Sequence, residues 1–249
     1  MRYFLDIAYR GTHYHGWQEQ ENAISVQETL NKALSKISGL EIKCVGSGRT
    51  DKGVHASQQI VHFDIAKNID TNKFLYQLNS VLPSDIAGNS IRRVTDDAHA
   101  RFDATKRTYN YFIHQKKDPF KEGLSYFFSS EIDVVTINES LTILKNHTDF
   151  ESFSKVKTEV NNFNCEISEA EWQATENGWF FYISANRFLR GMVRTIVGTM
   201  LDIGQGKLSP ADLHLILNQK DRKAAGRSVA AHGLYLSEVA YPEEIYINP

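Results

Sequence analysis

Disulfides are the first thing this sequence excludes. Its 249 residues include only two cysteines, Cys44 and Cys165, and neither sits in a C-x-x-C spacing, so no disulfide framework, zinc site or redox pair is expected. Both read as small core residues. A membrane-spanning apolar run is also missing, and the opening MRYFLDIAYR alternates like a strand instead of running from a basic head into an apolar segment. The expectation is a cytoplasmic protein with no membrane association. Basic excess is absent too: 28 Lys and Arg stand against 30 Asp and Glu, a formal net charge of -2, whereas nucleic-acid-binding chains usually carry a positive balance. Placement offsets the total. Basic residues gather at Arg101, Lys106 and Arg107, at Lys116, Lys117 and Lys121, at Arg187, Arg190 and Arg194, and at Lys220, Arg222, Lys223 and Arg227. Acids are thin in the first three clusters, which fits either a local positive face or ordinary solvated patches. What is present, 41% hydrophobic and 23% charged residues, describes a globular chain of one large domain or two small ones.

Periodicity supplies the organisation. From Arg2 to Arg10, Tyr3, Leu5, Ile7 and Tyr9 fall on one side, the pattern of a half-buried strand. Ser25 followed by Glu28 predicts a helix start, with Val26, Leu30, Ala33, Leu34 and Ile37 as its apolar stripe and Gly39 as its end. A short strand is expected over Glu41–Val45 and a longer one over Gln58–Ile65. Thr71 is the expected cap of a helix carrying Phe74, Leu75, Leu78 and Leu82, which Pro83 stops, and Ile91–Thr95 follows as a strand. Strand, helix, strand, strand, helix, strand is the split order of a ferredoxin-like domain. The rest of the chain reads similarly, with strands over Thr108–His114, Ile167–Ala174, Trp179–Ala185 and Leu234–Ala240. Helices are expected over Asn138–Asn146, Phe188–Ile203 and Ser209–Asn218, the last opened by Ser209 and Pro210. The expected class is α+β: two ferredoxin-like (RRM-like) halves, residues 1–100 and 101–249, each an antiparallel sheet flanked by helices, with a ligand cleft between them.

The stretch SGRTDKGVHA, Ser47 to Ala56, places Asp51 between Arg49 and Lys52 in a loop bounded by Gly48 and Gly53. It is not a P-loop, because Val54 and His55 follow Gly53 where a lysine and a hydroxyl residue are needed. A dinucleotide fingerprint fails because Asp51 stands where a third glycine is required, and an EF-hand fails for want of further carboxylates. Cations on either side suit the aspartate to act as a base or nucleophile, not as a proton donor. An aspartate that merely caps a tight turn gives the same spacing. His55 and His62 read as packed or surface residues. His13 and His15 are one residue apart, but with no third ligand in view no metal site is expected.

At this point the loop resembles the signature of the tRNA pseudouridine synthase A family. Further stretches match in order: GTHYHGWQEQ and VQETL, then AHARFDATKRTYNYFI, DFESFSK, FLRGMVRTIVGTML and GLYL. The resemblance implies isomerisation of uridine to pseudouridine in the anticodon stem-loop of tRNA, at positions 38, 39 and 40, by a homodimer without cofactor or metal. It gives Asp51 the catalytic role, Arg49 the flipping of the target nucleotide, Tyr109 stacking on the flipped uracil, and Arg101 a contact to RNA near the target. Arg194 would hold the charge of Asp51, and Leu234 would wall the pocket. Gly48 and Gly53 would let the backbone approach the ribose. Lys52 receives no role.

Bland alternatives stand beside these roles: Tyr109 and Leu234 as core strand residues, Arg101 as a solvated junction residue, and Arg194 as a cation on an apolar helix that needs a buried acidic partner. The chain departs from the family where Tyr9, Arg10 and Gly11 replace the usual Tyr-Asp-Gly. It also has Val229, Ala230 and Ala231 where a proline is usual before GLYL, and no glycine after Asn186. Two other readings remain, a non-catalytic RNA-binding protein using Tyr109 as a stacking platform, and a hydrolase with Asp51 as general base. The first gains nothing from a carboxylate facing phosphate; the second lacks an evident second acid or metal set.

Overall fold

A computed structural model describes residues 1–156 and 160–247 and shows a mixed α/β protein. In chain order the described elements are β1 (Arg2–Tyr9), α1 (Val26–Ser38), β2 (Val45–Gly46), β3 (His55–Asp64), α2 (Thr71–Val81), β4 (Ile86–Val94) and β5 (Lys106–His114). They continue with β6 (Tyr126–Phe127), α3 (Val134–Lys145), β7 (Ile167–Thr175), β8 (Gly178–Ala185), α4 (Met192–Gly204), α5 (Pro210–Gln219) and β9 (Leu234–Ala240). Two compact units divide the chain: Met1–Lys106 with Tyr235–Pro249, and Arg107–Leu234. Among the described residues no helix is long and apolar enough to cross a membrane. Both cysteines are buried and unpaired, and burial pushes their thiols up, Cys44 to about 12 and Cys165 to about 11.

In the first unit β1 pairs antiparallel with β3 and β4. The free edge of β3 is shared, with β2 antiparallel near its end and β9 parallel at its start. Tyr3, Leu5, Ile7 and Tyr9 are buried as the alternation requires, but Phe4 is buried too. The half-buried expectation for β1 holds except at Phe4, against which Tyr241 and Tyr246, from the returning C-terminal segment, pack edge-on at 4.9 and 6.2 Å, while Arg2, Asp6 and Ala8 stay partly exposed. Helix α1 begins where Ser25 Oγ accepts the Glu28 N–H and ends at Gly39 with φ 71°. The strand expected over Glu41–Val45 shrinks to Val45–Gly46. Polar side chains of α1 take the backbone groups a neighbouring strand would have used: Ser35 Oγ accepts from Ile42 N–H, Asn31 Oδ1 from Cys44 N–H, and Gln27 donates to the Cys44 carbonyl. Asp70, not Thr71, caps α2 by accepting from Lys73 N–H.

The second unit carries β5, β8 and β7 in an antiparallel sheet, with β6 parallel beside β5. Asp133 caps α3 and starts it four residues before the expected Asn138, because two backbone N–H groups reach its carboxylate. Helix α4 starts later than Phe188, at Met192, since Gly191 sits at φ 74° and breaks any helical continuation. Its buried Met192, Val193, Ile196, Val197, Met200 and Leu201 make it the most apolar helix of the unit. The segment 226–229 lies directly on it. A Cβ on Gly198 would stand 1.8 Å from the Arg227 carbonyl oxygen, and one on Gly226 would stand 2.8 Å from Thr199 N. Thr199 Oγ1 accepts the Gly226 N–H at 3.0 Å.

Two predictions follow from this packing. Gly198→Ala forces backbone apart from backbone and is expected to lower unfolding stability by about 2 kcal/mol or more, measured by urea denaturation. His62 concerns the junction after β4: it is buried, and its Nδ1 accepts the Ala100 N–H at 3.1 Å. Burial, with Arg2 and His99 acting the same way, pushes this imidazole down to about 4. The unfolded chain takes up a proton near the ordinary value of about 6.5, while the folded chain resists it. The stability that depends on neutral His62 is complete above that value and is lost as pH falls toward 4. The loss of melting temperature between about pH 7 and pH 4.5 should be shallower in His62→Gln than in the native chain; parallel curves would rule His62 out as the cause.

Candidate active site

The loop from Ser47 to Val54 joins β2 to β3, and buried polar groups fix its first limb. Ser47 N–H donates to the Ile60 carbonyl at 2.8 Å, and Ser47 Oγ donates to Gln59 Oε1 at 2.9 Å. Gln59 Nε2 in turn donates to the Gly48 carbonyl at 2.9 Å. Gln59 is fully buried, so each of these groups would be costly to leave unpaired. Strand periodicity gives no sign of this role, since a glutamine beside another glutamine in a strand reads as surface.

The second limb is held by the GTHYHGWQ segment. Trp17 N–H donates to the Thr50 carbonyl at 3.1 Å, and Thr50 Oγ1 shares a 2.8 Å hydrogen bond with the Tyr9 hydroxyl. Gly16, at φ 95°, leaves room for that approach: a Cβ there would lie 2.6 Å from the Thr50 oxygen. Gly11 N–H donates to His55 Nδ1 at 3.0 Å, which fixes that buried imidazole as an acceptor at this nitrogen. The turn closes with Val54 N–H on the Asp51 carbonyl at 3.1 Å, across Gly53 at φ 79°. Gly53 is thus a glycine because the turn requires it. Gly48 differs, having nothing within 4 Å of a would-be Cβ.

On this frame Asp51 is half-buried and Arg49 is exposed, with no hydrogen bond or ion pair to its guanidinium among the described residues. Lys52 is exposed, its ammonium 3.2 Å from His15 Nε2. Arg101 lies in the turn after β4, where its N–H donates to His99 Nδ1 at 3.1 Å and its guanidinium lies 5.6 Å from the Phe102 ring centre. His99 Nδ1 also accepts the Phe102 N–H at 3.3 Å, a bond its sequence context does not reveal.

Three sequence candidates belong to the second unit. Tyr109 stands on β5 opposite Ile183, half-buried, its ring at right angles to Phe188 with centroids 5.2 Å apart. Arg194 is the third residue of α4. Its Nε donates to the Val229 carbonyl at 2.7 Å, and its own carbonyl accepts from Val229 N–H at 3.2 Å. The same segment takes the Tyr111 hydroxyl on the Ala230 carbonyl, and burial pushes that phenol well above its ordinary range. Leu234 is buried at the first residue of β9. No cluster of three or more His, Cys, Asp or Glu suited to a metal occurs among the described residues.

A rigid turn presenting a half-buried carboxylate beside an unengaged guanidinium suits attack on, or proton removal from, a bound anionic substrate. Comparison with known proteins names a family. A family model described as tRNA pseudouridine synthase matches residues 7–103 and 147–242. The chain is 48% identical over 247 residues to a Bacteroides fragilis protein named tRNA pseudouridine synthase A, covering 98% of each. It is 45% identical over 250 residues to one of that name from Porphyromonas gingivalis (99% of each), and 42% identical over 245 residues to one from Bacillus subtilis (97% of this chain, 99% of that one). With agreement at this level over nearly its whole length, the chain belongs to the tRNA pseudouridine synthase family and is an RNA pseudouridine synthase.

Proposed function

We propose that the protein converts uridine to pseudouridine in the anticodon stem-loop of tRNA, at positions 38, 39 and 40. The observation that carries this reading is the Asp51 turn, buttressed on both limbs while Arg49 remains exposed and unengaged. Taking a uridine out of its stack costs a few kcal/mol, and Arg49 fills the space it leaves. Tyr109, its ring oriented by Phe188, stacks on the uracil. The N1–C1′ bond breaks with its electron pair left on the uracil, the held uracil turns, a C5–C1′ bond forms, and the C5 proton leaves while N1 takes one up. Asp51 acts either by attacking C1′ or through a glycal-like intermediate. Arg194, oriented by its bond to the Val229 carbonyl, holds the Asp51 charge. Leu234 walls the pocket so that the detached base stays in place, and Arg101 contacts the RNA near the target.

Gly48 gives the ribose backbone-close access, which its open surroundings support. The division of labour is between an N-terminal half, residues 1–100, carrying the aspartate and a C-terminal half, residues 101–249, carrying the tyrosine and arginine, although the segments 101–106 and Tyr235–Pro249 of that half belong to the first compact unit. Both halves are ferredoxin-like, a reading supported in the first by the strand order β4, β1, β3, β2. The enzyme works as a cytoplasmic homodimer and needs neither cofactor nor metal.

Tritium release from tRNA carrying 5-tritiated uridine tests this. The native protein should release tritium, and Asp51→Asn should lose on the order of a thousandfold or more in rate while tRNA affinity stays within about threefold. Binding without release by the native protein would overturn the synthase reading in favour of an RNA-binding module; full activity in Asp51→Asn would remove Asp51 from the chemistry. Arg194→Ala should lower the maximal rate by about a hundredfold and leave tRNA binding nearly intact. The reverse pattern would make Arg194 a phosphate contact.

A further inference from the structure

Lys52 follows the catalytic aspartate in the chain, and no role has been given to it. Its exposed ammonium lies 3.2 Å from Nε2 of His15, itself exposed. Three other lysines of this unit find carboxylates: Lys32 pairs with Glu28 at 2.5 Å, Lys43 with Glu41 at 3.2 Å, and Lys106 with Glu238 at 3.1 Å. Lys52 has no carboxylate within ion-pair distance among the described residues. In a chain with more acids than bases, a lysine whose partner is a neutral ring keeps its full charge for something else.

The contact is informative about orientation. An ammonium can only donate, so His15 Nε2 is the acceptor and the proton of the neutral ring sits on Nδ1. One of the three ammonium N–H bonds is used, and two remain. His15 is itself fixed, its N–H donating to the Ile24 carbonyl at 2.9 Å and its carbonyl accepting from Gln20 Nε2 at 3.0 Å. The next residue, Gly16, backs onto Thr50 and Asp51. His15 and Lys52 therefore ride on one rigid assembly with the aspartate. A long lysine side chain held in place in advance loses less entropy when an anion arrives.

We propose that Lys52, positioned by His15, is a seat for a backbone phosphate of the RNA strand that carries the target uridine. The two remaining N–H groups fit the non-bridging oxygens of a phosphodiester. Lys52 is then a binding residue, and His15 a positioning residue that acts through it. This rests on the family reading that the substrate is RNA.

The test measures tRNA dissociation constants across a potassium chloride series, alongside tritium release, on the full-length chain. Lys52→Ala should weaken binding about tenfold at low salt and make the slope of log affinity against log salt shallower by about one, with maximal rate within about twofold of native. Lys43→Ala, an exposed lysine already paired with Glu41, should leave slope and affinity unchanged. His15→Ala should weaken binding about threefold, whereas His15→Gln, which keeps an acceptor near the position of Nε2, should stay near native. An unchanged salt slope in Lys52→Ala would overturn the phosphate assignment. So would a lowered maximal rate at unchanged affinity, which would place Lys52 in the chemistry of Asp51. Equal affinity of His15→Ala and native would overturn the positioning role. If the native protein binds tRNA in the same series but releases no tritium, the family reading fails and the slope comparison still stands.

Discussion

All that the first unit presents to a substrate depends on one close approach, the backbone of Gly16 and Trp17 against the carbonyl of Thr50. The hydrogen bond from Trp17 N–H is ordinary in length at 3.1 Å. What makes it possible is Gly16, whose φ of 95° and missing side chain clear the path. What makes it durable is Trp17, only 2% exposed, since burying a large aromatic stabilises the fold by about 2–3 kcal/mol. Trp17 in turn dictates Gly46, because a Cβ there would press into the indole at 2.7 Å. A residue far from Asp51 in sequence thus sets the turn on which Asp51 stands. Preorganisation of this kind is what the role proposed for Asp51 requires, because reorganising the loop at the moment of reaction would cost rate.

The second unit solves a similar problem with a helix. Arg194 projects from the first turn of α4, among residues that are otherwise buried and apolar. Its Nε is tied to the Val229 carbonyl, and the Val229 N–H returns to the carbonyl of Arg194. Those two bonds require segment 226–229 to lie flat on the helix. Gly198 and Gly226 make that possible by removing side chains from both surfaces at the contact. In both units glycines bring backbone against backbone, Gly16 at Thr50 in the first and Gly198 and Gly226 in the second.

Much of this was legible in the sequence wherever one rule acts locally. The stripe of α1 between Ser25 and Gly39, the strand over Trp179–Ala185 and the helix start at Ser209 and Pro210 each follow from spacing and caps alone. The rest required contacts that spacing cannot carry. Residues 41–44 have strand-like composition, yet Asn31 and Ser35 of α1 satisfy their N–H groups first. Phe4 looked like the solvent side of β1 until the C-terminal tyrosines covered it. The block GTHYHGWQEQ was recognisable only as a resemblance; its physical reason, Gly11, Gly16 and Trp17 against the Asp51 loop, appears only when the two segments meet. Gln59 was invisible for the same cause, its role lying in partners supplied by the loop.

The two glycines of SGRTDKGVHA show how structure can separate residues that sequence treats alike. Gly53 occupies φ 79°, a conformation that side-chain-bearing residues adopt at a cost of about 1 kcal/mol, so the turn itself explains it. Gly48 has neither a left-handed φ nor any atom within 4 Å of where a Cβ would stand. An alanine there would fit and would stabilise the fold by about 0.4–1 kcal/mol through the unfolded chain. Internal packing therefore supplies no reason for glycine at position 48, while its carbonyl is already engaged by Gln59 on the inner side. The open space at Gly48 belongs to a loop that also carries exposed Arg49 and Lys52. Open backbone in a loop that also carries two exposed cations is a surface a phosphodiester strand can approach, which ties the proposed roles of Gly48, Arg49 and Lys52 to one loop.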